Sequence, residues 1–109
     1  MKQKSKVFSL LGLATKAGKV KSGEFSTEKA VKTGSACAVV VATDASDNTK
    51  KMFRNMCDFY HVPIYVYGLK EELGHAIGKQ MRASIAIIDQ GFSDAIKKQL
   101  EMEQDMEVL

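Results

Sequence analysis

Cysteine occurs twice in this 109-residue chain, histidine twice and proline once. Each scarcity excludes something. A chain of this length closes one modest core without staples. Cys37 lies in Ala-Cys-Ala-Val and Cys57 in Asn-Met-Cys-Asp-Phe, so both read as unbridged thiols acting as small hydrophobes. A zinc site would need Cys37, Cys57, His61 and His75 together, with no pair at knuckle spacing. One proline and no Ser- or Gly-rich tract leave no linker, and there is no internal repeat. The length fits a single domain, residues 1–109. No apolar run approaches the length of a membrane span. The basic start, Met1 to Lys6, leads into an apolar stretch interrupted by Ser9 and Gly12, with no small-residue cleavage site after it. We therefore expect no signal peptide, no membrane partner and a cytoplasmic setting.

Acid is scarce at one end only. Residues 1–34 hold eight lysines against Glu24 and Glu28, whereas Glu101, Glu103, Asp105 and Glu107 crowd the last nine residues. An asymmetry of this kind suits a polyanion partner for the N-terminal third. It equally suits a solvated lysine face and an acidic tail, from about residue 101, that aids solubility. Apolar residues make up 45 % and charged residues 27 %, which places the chain among folded globular domains rather than disordered ones.

Helical and strand patterns alternate. Val7, Leu10, Leu11 and Ala14 recur at helical spacing before Gly18. Val20 stands alone in Lys-Val-Lys-Ser, enough for a marginal strand. A second helix opens at Gly23 and ends at Gly34. Ala38–Ala42 is a continuous apolar run, as in a strand covered on both faces. Ser46 or Asp47 caps a third helix, with Met52, Phe53, Met56, Cys57 and Tyr60 on its apolar face. Pro63 ends it, and Ile64–Tyr67 reads as a strand. A short helix over Glu71–Ile77, a loop over Gly78–Ala83, a strand over Ile85–Ile88 and a last helix capped by Ser93 complete the series. Strands separated by helices predict an α/β fold, specifically a three-layer α/β/α sandwich with a small mixed, mostly parallel sheet.

Catalytic constellations are missing. Cys57 and His61 have the spacing of a nucleophile and base on one helix, but Cys57 belongs to the apolar stripe. Gly74 to Gln80 is one residue short of a phosphate loop and lacks the Ser/Thr for magnesium; Gly18 to Gly23 is followed by Glu24 where lysine is needed. Asp44 and Asp89 end strands, and capping or turn formation accounts for them. We expect no enzyme and no cofactor.

Two segments do suit phosphate and base contacts. In Lys19 to Lys29, a helix starting at Gly23 offers free N–H groups and a positive dipole end, with Lys19, Lys21 and Lys29 adding charge. In Gly78 to Arg82, Met81 is an apolar group able to pack on an unstacked base; taken alone, this loop reads as an ordinary solvated turn.

These residues resemble the kink-turn RNA-binding ribosomal protein family (archaeal L7Ae, eukaryotic L30e), and within it small bacterial members of the YlxQ type. The likeness runs from about Val7 to Ile96. It rests on an ordered set: Gly18-Lys-Val-Lys-Ser-Gly23, Lys29-Ala-Val-Lys-Thr-Gly34, Val39-Val-Val-Ala-Thr-Asp-Ala-Ser46, Asn48-Thr-Lys-Lys51, Val62-Pro63, Glu72-Leu-Gly-His-Ala-Ile-Gly-Lys79 and Ala86-Ile-Ile-Asp89. The resemblance implies a surface formed by the start of the second helix and the loop before the last strand. The helix would meet sheared G·A pairs and the loop an extruded nucleotide. By position, Gly23 opens the helix, Lys29 is the RNA-contacting lysine, and Lys79, Gln80 and Met81 form the loop. Where the archaeal pattern has Asn-Glu, this chain has Phe25 and Ser26; Phe25 offers no side-chain hydrogen bond.

The expected RNA-binding set is therefore Lys19, Lys21, Gly23, Glu24, Phe25, Ser26, Lys29, Lys79, Gln80, Met81 and Arg82. The expected partner is structured, kink-turn-like RNA, non-coding or ribosomal, bound by a monomer with possible ribosome association. Two other functions fit the same fold: a protein-interaction module, or an accessory RNA-binding subunit of an RNA-modifying enzyme.

Overall fold

In the computed structural model, the backbone is described over residues 5–108 and the side chains over 5–103. The side chains of Asp105 and Glu107, from the acidic tail, and the basic residues Lys2 and Lys4 lie outside those bounds. The elements are α1 (Lys6–Lys16), β1 (Val20–Ser22), α2 (Glu24–Lys32), β2 (Ala38–Val41), α3 (Asp47–Tyr60), β3 (Ile64–Val66), α4 (Lys70–Ala76), β4 (Ser84–Ile87) and α5 (Gln90–Val108). The segment from residue 101 thus continues α5 as helix.

The two central strands, β2 and β4, are buried at every position, as continuous apolar runs require when helices cover both faces of a sheet. On one side α2 and α3 pack next to each other, and on the other α1 packs against α5 and α4. Val7, Leu11, Val31, Phe53, Leu73, Ile85 and Ile96 are fully buried and join both sides to the sheet. This is the expected α/β/α sandwich.

The sheet has the order β1-β4-β2-β3. It is mixed, but not mostly parallel: β2 and β3 are parallel, while β4 runs antiparallel to both β1 and β2. The reason lies between β3 and β4. The backbone N–H of Arg82 donates to the carbonyl of Lys70 at 3.0 Å, closing α4 and its following loop into one excursion. Chain exit from β3 and entry into β4 therefore lie at the same end, and β4 must run back. A helix between two strands implies a parallel pair only if it crosses the sheet, and α4 does not.

Local chemistry explains most boundaries. The Ser5 hydroxyl accepts the N–H of Val7 to cap α1, and Ser46 accepts the N–H of Thr49 to cap α3. The last helix starts earlier than expected. Asp89, not Ser93, caps it, its Oδ2 accepting the Phe92 N–H at 2.9 Å. Ser93 is buried one turn into α5 and donates to the Cys37 carbonyl at 3.4 Å. Asp44 works across the fold, accepting the N–H of Lys70 at 2.8 Å at the start of α4. Tyr60 was expected on the apolar face of α3, but it is 40 % exposed and meets Phe59 edge-on. Val20 lies in a true edge strand that pairs with Ile87. Both thiols are free; Cys57 is buried and Cys37 half-buried.

Candidate nucleic-acid interface

The antiparallel pairing of β1 with β4 sets Ser22 opposite Ile85. It brings the end of β1 to the start of β4, and with it the α2 start to the 78–82 loop. The chain turns from β1 into α2 at Gly23, whose φ of 91° suits glycine. Its N–H donates to the Ser84 carbonyl at 3.0 Å, and its carbonyl accepts the Thr27 N–H at 2.9 Å. Beneath the helix start, the buried Ser84 hydroxyl donates to the buried Thr27 Oγ1 at 3.3 Å. This pair fixes the first turn of α2 on β4. Gly23 supplies no side-chain cap, so the first-turn N–H groups keep their positive end toward the surface.

The loop is anchored from its other side. Lys79 N–H donates to the Gly74 carbonyl at 2.8 Å. A Cβ at Gly74 would stand only 1.8 Å from the carbonyl oxygen of Gln80, so the loop lies directly on the α4 backbone and glycine is the residue that permits it. Arg82 joins the two segments. Its Nε donates to the Ser22 hydroxyl at 3.2 Å and its guanidinium to the Met81 carbonyl at 3.0 Å.

On this scaffold Phe25 is 79 % exposed and Met81 56 % exposed. Glu24, Lys21, Lys29, Lys79 and Gln80 are exposed, and Ser26 is half-buried. Phe25 and Lys29 are one turn apart on the same side of α2. Lys32, one turn from Glu28, pairs with it at 2.8 Å; this neighbour holds the ammonium above its ordinary range. Lys19 is set apart. Its carbonyl accepts the N–H of Ile88, beyond the far end of β4, and four extended residues place it roughly 13 Å from Gly23. The other ten expected residues belong to the two joined segments or to α2.

The residues that position the surface lie outside the expected binding set: Ser22, Thr27, Gly74 and Ser84. So do Glu71 and His75, which line a groove of about 500 Å³ with Lys79, Gln80, Met81 and Arg82. The i, i+4 spacing of Glu71 and His75, and their place one turn before the loop, were the available signals.

An exposed aromatic ring and a thioether thus stand among cations at one end of an α/β/α sandwich. The family model described as "Ribosomal protein L7Ae/L30e/S12e/Gadd45 family" matches residues 5–97, and the chain belongs to that family. It is 40 % identical over 89 residues to "RNA-binding protein YlxQ" of Bacillus subtilis, covering 82 % of this chain and 89 % of that protein. Over 98 residues it is 37 % identical to "RNA-binding protein YlxQ" of Enterococcus faecium, covering 90 % and 94 %. The large ribosomal subunit protein eL30 of Sulfolobus acidocaldarius is 35 % identical over 91 residues, covering 82 % and 88 %. A solved protein of unknown function from Bacillus halodurans superimposes with a TM-score of 0.87 at 38 % identity, covering 90 % of this chain and 99 % of that one. The "15.5kD RNA binding protein" of Giardia lamblia shares the fold at a TM-score of 0.75 and 19 % identity, covering 92 % and 89 %.

Proposed function

We propose that this chain is an RNA-binding protein whose α2 start and 78–82 loop together grip a structured, kink-turn-like RNA. One observation carries the reading. Phe25 and Met81 are large apolar side chains left exposed on segments that Arg82 ties together, with Lys21, Lys29 and Lys79 around them. Unstacked bases are recognised by packing and hydrogen bonding, while lysines supply sequence-independent attraction to phosphate. The names of the relatives support the same reading. The eL30 relative supports a ribosomal RNA context; in this proposal the protein acts as a cytoplasmic monomer that associates with the ribosome. The role is binding rather than catalysis.

Phe25 sets the manner of recognition. It can pack on a base but cannot hydrogen-bond a G·A pair, so the loop and stacking contribute more here than polar readout from the helix.

Filter retention of a kink-turn RNA and a matched duplex, in rising salt, tests this. Wild type should retain the kink-turn RNA more strongly and lose both RNAs as salt rises. Phe25→Ala, which removes the stacking ring, should leave duplex retention unchanged and lower the preference for the kink-turn RNA. Absence of retention of either RNA at low salt would contradict the proposal and favour the protein-interaction reading.

A further inference from the structure

The opposite edge of the sheet from β1 is open. β3 is the terminal strand and pairs with β2. Toward β2, the Pro63 carbonyl accepts the N–H of Val39, and Tyr67 N–H donates to the Val41 carbonyl. In a parallel ladder alternate residues bond to the same neighbour, so Ile64 and Val66 turn their N–H and C=O groups outward. Among the described residues, no loop or cap backbone bond reaches them. Such a row of donors and acceptors is a template for another strand.

A groove of about 520 Å³ runs along this edge, walled by Tyr65 and Val66 of β3, by Tyr67 just after it, and by Leu100, Glu101 and Glu103 of α5. Among the described residues, the charged side chains that line it are the carboxylates Glu101 and Glu103. Burial first, and then Glu101 and Asp94, push the Tyr65 hydroxyl up, and Glu103 and Glu72 add to the same effect at the half-buried Tyr67. Glu103 is held in place: the Tyr67 hydroxyl donates to its Oε1 at 2.5 Å, and the Ser5 hydroxyl to its Oε2 at 3.4 Å. Burial, helped by the bond to Glu103, pushes Tyr67 up to about 12, so it remains a donor at neutral pH. Lys97 and Lys98 stand exposed on α5, and among the described residues neither pairs with Glu101 or Glu103.

We infer that the β3 edge receives an extended peptide segment bearing lysine or arginine, added as a fifth strand. Its main chain bonds to Ile64 and Val66, its apolar side chains lie against Tyr65 and Leu100, and its cations meet Glu101 and Glu103. Strand addition of this kind takes affinity from main-chain bonds and specificity from the flanking groove. Charge selects the occupant. RNA would be repelled by these carboxylates, and a second copy docking edge to edge would crowd two sets of them together. Because β1 and β3 are opposite edges, RNA and peptide can be held simultaneously.

The probe is a fluorescein-labelled octapeptide of alternating lysine and valine, titrated into the full chain. It should bind saturably, shift amide resonances of Ile64 to Gly68, and leave those of Gly23 to Lys29 in place. A glutamate–valine octapeptide should not bind. Methylating the main-chain nitrogens of alternate residues should weaken the lysine peptide at least tenfold. So should the double variant Glu101→Gln, Glu103→Gln, whose affinity for kink-turn RNA should stay at the wild-type value. Equal binding of the two peptides, indifference to methylation or to the double variant, or shifts confined to the Gly23 region would overturn the inference. So would a dimer in sedimentation that Val66→Pro dissociates, which would make a second copy the occupant.

Discussion

Gly74 shows how one missing carbon shapes a surface. The Gln80 carbonyl occupies the space a Cβ would need, and a backbone group cannot swing aside as a side-chain tip can. Gly74→Ala should displace the 78–82 loop, lowering kink-turn affinity at least tenfold with β4 still paired; an electrophoretic titration and amide exchange on one sample separate these effects. Phe53 is the largest fully buried side chain. Phe53→Ala should cost about 3–5 kcal/mol in urea melts, and a loss well below 1 kcal/mol would mean that α3 buries another face. Cys57 titrates with folding. Burial pushes its thiol up to about 11, above the unfolded value, so between about pH 9 and 11 the unfolded chain gives up a proton that the folded chain keeps. Stability is then full below that window and falls as pH rises through it. Denaturant midpoints at pH 7.5 and 10.5 should show the fall, and Cys57→Ala should reduce it.

Elements with strong periodicity were legible in the sequence. Phe53 and Cys57 lie one turn apart in α3 and are both buried, and the apolar runs Ala38–Val41 of β2 and 85–87 of β4 are buried throughout. The direction of β4 was not legible, because it depends on the Arg82 to Lys70 backbone bond, which no local pattern announces. The exposure of Tyr60 also escaped the periodicity: it lies at the end of α3, just before the left-handed residue His61, where the helix leaves the sheet. The site divides in the same way. Gly23, Phe25, Lys29 and Met81 could be picked out as residue types suited to RNA. The Ser22–Arg82 bond and the Thr27–Ser84 pair span about sixty positions and follow only from the register of β1 on β4. Ser84→Ala should therefore act on the element rather than the contact. It removes the donor to a buried hydroxyl, a change worth about 1–3 kcal/mol, and it should loosen the α2 start and raise amide exchange at Thr27. Unchanged exchange there would show that the Gly23 backbone bonds hold the helix unaided.

For the whole molecule, charge separates two surfaces. Cations gather around Gly23 and the 78–82 loop, while carboxylates gather at the β3 edge on the opposite side of the sheet. The net charge of +3 conceals this division, and the surface around Gly23 should govern the salt dependence of RNA binding. Lys29 is exposed and one turn from Phe25, so Lys29→Ala should weaken binding to every RNA by a similar factor. It should also flatten the slope of log affinity against log salt by about 0.7–0.9. Met81→Asp should instead erase the preference for an RNA with an extruded base. The most direct measurement is one set of titrations: wild type, Lys29→Ala and Met81→Asp, each against a kink-turn RNA and a matched duplex at several salt concentrations. We predict a kink-turn preference in wild type, a uniform loss with a shallower slope in Lys29→Ala, and in Met81→Asp a loss for both RNAs that is larger for the kink-turn RNA, so that the preference disappears. If both variants bind like wild type, the surface formed by α2 and the 78–82 loop is not where this protein holds RNA.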